Sequence, residues 1–316
     1  MKVFVIGATG AIGGYAVPAL VRAAHTVTAL ARTPEKAAHL SKQGASPISV
    51  SIFDRTTLTE AFKRQDAVVN LATAIPPTAN FMQTKAWTEN DRVRKQGSAA
   101  IIDAAIAAGI ERVVQESVSM IYPDRGDAWI DEQCLPDTFP MAQANLAAEA
   151  NAKRFSLAGG TGIVLRFGWF YGPGATHSEE FFALARRHIV IMMGPPKSYV
   201  SSIHVADAGA AVVAALAVPA GTYNIVDDEP VTKRSYADAL AAAAGKAAWF
   251  RIPGRAALLL GNRSTSLTRS LRVSNARFRE VSGWRPMYPS VWQGWMATAE
   301  ALERPSSPTD NWEDHT

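Results

Sequence analysis

The run Gly7-Ala8-Thr9-Gly10-Ala11-Ile12-Gly13 places glycines at a spacing suited to holding a phosphate. Gly7 permits a tight turn, Gly10 lets the backbone approach a pyrophosphate, and Gly13 lets a helix pack closely on the strand before it. Thr9 and Ile12 fall in the same loop. Phosphate oxygens would sit on free amides at the positive end of that helix. A second group with chemical potential spans residues 116–122. Glu116 is placed to act as a general base, Ser117 and Ser119 to orient a substrate carbonyl, and Tyr122 to reach a pocket mouth. Strand alternation would put both serines on one face and turn Val118 away. Each has a plain structural reading as well: a buried acid at a helix end, serines satisfying backbone groups, an aromatic in a core.

These residues need a scaffold, and the pattern of the chain describes one. Short β-branched runs at 3–6, 26–31, 48–52, 67–72, 112–117 and 162–167 read as buried strands. Helices are expected over 11–24, 34–43, 57–63, 84–108 and 142–155, with Pro34 in a first turn and Gly109 as a C-terminal cap. The β-α alternation predicts an α/β fold built on a doubly wound parallel sheet. Beyond Arg166 the pattern changes: proline-glycine clusters at 172–174 and 194–196, strands near 200–205 and 222–226, then short helices. Residues 1–170 and 198–226 are therefore expected to form a dinucleotide-binding domain. Residues 171–197 and 227–301 form a smaller, interleaved substrate lobe, and 302–316 a tail without fixed structure.

Bulk properties narrow the function classes. A net charge of +4 with scattered basic residues provides no stripe for nucleic acid. No apolar run nears the roughly 18 residues of a membrane span. The single Cys134 cannot form an internal disulfide, which suits a reducing cytoplasm. No cluster of His, Cys, Asp and Glu has metal-ligand spacing, so no metal is expected.

The end of the second strand decides which dinucleotide is favoured. An acidic residue there would hold a ribose 2′-hydroxyl, as NAD binders do. This chain has Ala31-Arg32-Thr33, with Lys36 one turn on, and a guanidinium suits a 2′-phosphate. NADP is the expected cofactor, NAD the alternative.

The glycine loop, Asp54 after the third strand, Asn70-Leu71-Ala72 and Arg166-x-x-x-x-Tyr171-Gly172-Pro173-Gly174 together resemble the short-chain dehydrogenase/reductase superfamily. Ile203-His204-Val205-Ala206-Asp207 and Tyr223-Asn224-Ile225-Val226-Asp227 resemble its extended, epimerase/dehydratase-like branch, and the likeness runs to about Trp295. It implies a Rossmann fold, Asp54 and Phe53 beside the adenine, and Ala72 and Thr73 lining the cofactor. It also implies a catalytic serine or threonine within residues 117–122; it leaves the oligomeric state open, with helix 84–108 and the helix after Phe139 as the faces that a homodimer would use.

The chain departs from that family in one respect. Redox members use a Tyr-x-x-x-Lys pair to shuttle a proton as hydride moves. None of the seven tyrosines here has a lysine four residues later. Anchoring on Glu149 puts Met141 and Asn145 at those positions, and anchoring on Ile121-Tyr122 puts Val118 at the usual serine. Methionine cannot transfer a proton and asparagine carries no charge. Proton transfer would then fall to Glu116, a nearby serine or Tyr122. Tyr171, the adjacent acids Asp131 and Glu132, and the Asn275, Arg277 and Trp284-Arg285-Pro286 region are lesser candidates, while His204 reads as a tie between lobe and sheet. Three functions fit: an NADP-dependent enzyme acting on a small hydroxy, keto or sugar-like substrate by redox, epimerisation or dehydration; a redox-inert NADP-binding sensor; or a non-redox isomerase or cyclase.

Overall fold

The computed structural model describes residues 1–247, 250–251 and 265–303. In chain order the first half comprises β1 (Lys2–Ile6), α1 (Gly13–Arg22), β2 (Thr26–Leu30), α2 (Pro34–Lys42), β3 (Ser46–Ile48), α3 (Arg55–Phe62), β4 (Ala67–Asn70), α4 (Thr88–Arg92), α5 (Ser98–Ala108), β5 (Arg112–Val118), β6 (Trp129–Ile130), α6 (Gln143–Leu157) and β7 (Thr161–Phe167). The second half adds β8 (Trp169–Tyr171), α7 (Thr176–Ala185), β9 (Ile189–Val190), β10 (Tyr199–Val200), β11 (Ser202–His204), α8 (Val205–Ala215), β12 (Gly221–Ile225), β13 (Val231–Thr232), α9 (Lys233–Ala243), β14 (Phe250–Arg251), α10 (Thr265–Thr268), β15 (Arg272–Val273), α11 (Ala276–Ser282) and α12 (Val291–Glu303).

Seven parallel strands form the central sheet in the order β12-β7-β5-β4-β1-β2-β3. Strand β1 lies in the middle, Val3 pairing with Val27 of β2 on one side and Ala67 of β4 on the other. Val3 to Ile6 and the whole of β4 are buried, which explains why these strands are near-continuous apolar runs rather than alternating ones. One face is covered by α1, α2 and α8, through Ala16, Val17, Leu20, Leu40 and Val212. The other is covered by α3, α5 and α6, where Leu58, Phe62, Ile101, Ile102 and Phe155 close over Phe4 and Val68. This is the expected doubly wound α/β sheet. Strand order reverses between β1 and β4, and the crevice at such a reversal is where these sheets bind ligands.

The lobe has its own core, in which Tyr171, Phe182, Tyr236, Leu240, Val291 and Trp295 pack together. Its boundaries differ from those expected. Strand β10 pairs with β13 of the lobe, whereas α11 leaves it and buries Phe278 in the sheet-side core beside Trp284. The helix expected over 84–108 is present but interrupted by a π turn, Val93–Gly97, between α4 and α5. The third strand is shorter and earlier than the 48–52 expected, because the chain turns towards Asp54, which caps α3. The expected tail begins inside α12, which continues to Glu303, and the rest of it lies outside the described residues. No helix among the described residues is long and apolar enough to cross a membrane.

Candidate active site

The glycine loop joins β1 to α1 at the reversal point. Gly7 has φ +80°, and a Cβ there would lie 2.5 Å from the Leu71 carbonyl carbon. A Cβ on Gly13 would collide with the Gly7 oxygen and lie 2.5 Å from the Ala8 carbonyl carbon. These two glycines are demanded by the fold itself. Gly10 is different: a Cβ there would meet only the Gly7 oxygen at 3.4 Å, and the residue is exposed. No described atom would block a Cβ there, and the open approach is compatible with the pyrophosphate expected at this loop. Thr9 lies half-exposed in the same loop, and Ile12 is buried at the start of α1. Ala72 and Thr73 follow β4 on the opposite wall, where the Ala72 amide donates to Asn70 Oδ1 at 3.2 Å. Arg32 is exposed at the end of β2, with no ion pair among the described residues. The loop and its surroundings fit a dinucleotide. Asp54, expected beside the adenine, caps α3 by accepting from Thr56 and Thr57 amides at 3.0 and 3.3 Å. Phe53 lies under the Arg92 guanidinium, 3.9 Å from its ring centroid.

The sequence-derived acid–base candidates sit near the carboxyl end of β5, and three of the four are already engaged. Glu116 is 1 % exposed and meets Arg94 of the π turn at 2.8 and 2.9 Å. A carboxylate clamped on both oxygens by a guanidinium is engaged as a tether between the π turn and β5. Ser117 donates to Glu149 Oε1 at 2.7 Å. Glu149 in turn accepts twice from Arg166, at 2.8 and 2.6 Å. The Tyr122 hydroxyl accepts from Arg166 at 2.9 Å and donates to Asn224 Oδ1 at 2.9 Å. Burial pushes the Tyr122 phenol up to about 12, although the Arg166 charge pulls it back. Tyr122 is thus a buried link in a network and does not reach a pocket mouth. Ser119 does not share a strand face with Ser117, because β5 ends at Val118 and Ser119–Ile121 is a 3-10 turn. Its hydroxyl alone among the four has no hydrogen-bond partner among the described residues.

Two of the three positions that the resemblance assigns to the proton relay, Val118 and Met141, are filled by apolar side chains. Val118 and Met141 belong to one cluster with Ile121, Phe139, Ala142 and Leu146. Asn145 donates to the Met141 carbonyl at 3.2 Å, and its buried Oδ1 has no partner among the described residues.

The lesser candidates are structural. Tyr171 is fully buried against Trp295. His204 Nδ1 caps α8 by accepting from Ala206, and burial lowers its pKa to about 4. Asp131 accepts from the Gln133 amide. Glu132 accepts from the Asn224 amide, and burial raises its pKa. Asn275 donates to the Val226 carbonyl, Arg277 covers Tyr223, and Arg285 donates to the Arg279 and Trp284 carbonyls. No group of three or more His, Cys, Asp or Glu among the described residues could hold a metal.

Sequence reasoning missed the cleft beside this site. Met120, Trp169, Phe181, Met192, Met193, Tyr199 and Leu271 line it, with Lys233 and Arg269. Met120 follows Ser119, so the cleft opens at the end of β5. Its lining comes from seven separate stretches of chain, and no spacing within one stretch signals it.

Fold, glycine loop and cleft together define a nicotinamide-dependent enzyme of the Rossmann class. The NAD dependent epimerase/dehydratase family matches residues 3–226, and the chain belongs to that family. This makes it an oxidoreductase or epimerase/dehydratase-like enzyme. It is similar to a 3-diazoavenalumate denitrifying reductase from a Streptomyces species, 32% identical over 310 residues, covering 92% of this chain and 97% of that one. It is also similar to the 4-hydroxy-2-methyl-3-oxo-4-farnesyl-3,4-dihydroquinoline-1-oxide ketoreductase of Stigmatella aurantiaca, 29% identical, covering 88% and 83%. Among solved structures, MoeE5 in complex with UDP-glucuronic acid and NAD superposes with a TM-score of 0.78 at 23% identity, covering 96% and 99%. Human epimerase family protein SDR39U1 with NADPH gives 0.77 at 20% identity, covering 95% and 99%. At those identities the structural likeness shows the fold.

Proposed function

We propose that this protein is an NADPH-dependent reductase that directs hydride to an electron-poor carbon of a flat, apolar substrate, in a step needing no proton from the Tyr-Lys relay. The observation that carries this reading is the replacement of the relay: Val118 and Met141 lie in one apolar cluster, and the uncharged Asn145 stands where the resemblance puts the lysine. A bound reduced nicotinamide supplies hydride. The residues of this chain do the rest. The glycine loop and the amino end of α1 seat the pyrophosphate, and Arg32 pairs with a 2′-phosphate. Ser119 positions the substrate, and the Met120–Trp169–Met192 cleft excludes water.

The apolar cleft favours an aromatic or polyunsaturated body over a sugar. The Streptomyces relative supports the same chemistry, because its named substrate carries a diazo group. Replacing such a group needs only hydride: a C–H bond forms, the C–N bond breaks, and dinitrogen leaves with that bonding pair. No oxygen has to be protonated. A ketone would need a proton as well, and of the three candidate hydroxyls Ser119 is the one left to relay it.

Calorimetric titration with NADPH, NADP, NADH and NAD tests the cofactor half. Phosphorylated forms should bind at least tenfold tighter, and Arg32→Ala should erase that preference. NADPH consumption with an arenediazonium carboxylate tests the other half. Tight cofactor binding without turnover on diazo, enone or ketone substrates would favour the redox-inert reading.

A further inference from the structure

The cleft holds a cation that the fold does not explain. Lys233 is 3 % exposed and lines the cleft together with Met120, Trp169, Met192 and Tyr199. Its ammonium donates to the Leu267 carbonyl at 2.7 Å. Among the described residues no carboxylate forms an ion pair with it, and the one whose field reaches it, Asp124, is exposed and accepts from the Gly126 and Ser270 amides. Burying an unpaired ammonium costs several kcal/mol. Its position adds to the cost, because Lys233 opens α9 after the capping Thr232, where the helix dipole repels positive charge. The amides of Lys233, Arg234 and Ser235 are themselves satisfied, by Ser198, Pro196 and Thr232, so the helix end needs nothing from this side chain. Gly194 makes room for it, since a Cβ there would lie 2.5 Å from Lys233 Nζ. Arg269, the other cation of the lining, is already committed to the Tyr122 carbonyl and to Asp137.

We infer that Lys233 anchors a carboxylate on the substrate, so that the enzyme selects arylalkenoic or similar flat carboxylic acids over their neutral counterparts. The ammonium keeps two N–H donors for the anion, and the methionines and aromatics of the cleft enclose the planar body. An unpaired buried cation in an apolar cleft becomes a favourable pair when the substrate supplies the missing charge. This inference rests on the reading of the cleft as the substrate site and names the substrate's class.

The test uses the full chain with NADPH present and trans-cinnamate and methyl trans-cinnamate as probes, measured by calorimetry. Cinnamate should bind at least tenfold tighter than the ester. Lys233→Met should bring the two within about twofold, and Lys233→Arg should keep part of the preference. Removing an unpaired buried charge should leave the melting temperature of Lys233→Met at or above that of the parent; if it does not fold, Lys233→Gln replaces it. Equal binding of acid and ester by the parent protein, or binding of neither, overturns the anchor. Lysine-dependent cinnamate binding without NADPH consumption on any substrate would uphold the anchor while removing the reductase reading. NADPH consumption on neutral substrates at equal rates in the parent and Lys233→Met would do the reverse.

Discussion

Glu149 and Arg166 form a two-pronged ion pair with side chains 12% and 6% exposed, and Ser117 and Tyr122 attach to either end of it. The energetic question is what happens when one charge is removed. A pair already withdrawn from water contributes little net stability, but its surviving half is left as an unpaired buried charge. Glu149→Gln should therefore cost about 3–5 kcal/mol in urea denaturation, and Glu149→Leu combined with Arg166→Met clearly less. Cofactor affinity of the folded Glu149→Gln protein should stay within about twofold of the parent. A tenfold loss would move Ser117 and Tyr122 from the scaffold back into the chemistry.

At the scale of elements, the β1–α1 loop separates glycines that the fold requires from Gly10, where a Cβ would fit. A methyl group on Gly13 would strike the Ala8 carbonyl and the Gly7 oxygen, both backbone atoms that cannot rotate away. Gly13→Ala should lower stability by several kcal/mol, as overpacking against fixed backbone does. Gly10→Ala meets open space and should melt within a few degrees of the parent, yet bind NADPH at least tenfold more weakly. Thermal melts with and without cofactor distinguish these outcomes. If Gly10→Ala retains full affinity, the pyrophosphate does not approach where the loop is open. The π turn is a second local device. By adding a residue between α4 and α5 it brings Arg94 inward to Glu116, a geometry that an uninterrupted α-helix would rotate away.

At the scale of the whole molecule, His204 lies where sheet and lobe meet, with Tyr171 at 5.3 Å, Tyr288 at 4.3 Å and Thr298 of α12 around it. Burial holds its pKa near 4, below the ordinary 6.5. The unfolded chain therefore binds a proton below pH 6.5 that the folded protein refuses until about pH 4. Stability from this residue is complete above pH 6.5 and is lost as pH falls towards 4. Asp207, Asp227 and Glu132, whose pKa values burial raises, act in the opposite direction, so the comparison needs a variant. His204→Asn, which keeps a capping acceptor, should be less stable at pH 7 but lose ~2 kcal/mol less between pH 7 and pH 5. Fluorescence and circular dichroism should report one coincident unfolding transition at both pH values, since α11 buries Phe278 in the sheet-side core and His204 packs against Tyr171 and Tyr288. Identical pH slopes for parent and variant would remove His204 from this account.

The sequence by itself determined the sheet, its strand sequence up to β7 and the phosphate loop, because these depend on local signals: buried β-branched runs, glycine spacing and helix caps all act within a few residues. It also determined that no Tyr-x-x-x-Lys pair exists, since that is a matter of residue identity. Tertiary structure decided which side chains were free. Glu116, Ser117 and Tyr122 look alike in sequence as candidates, but their partners Arg94, Glu149 and Asn224 lie 22, 32 and 102 residues away. Periodicity carries no information about such distant charges. The same holds for the cleft, which draws Met120, Trp169, Met192 and Lys233 together from separate loops. Lys233 left only a faint trace in the sequence, a lysine at the start of a helix where the dipole disfavours it. Side-chain chemistry is written locally, whereas the burial and pairing that decide its use are settled by contacts between segments far apart along the chain.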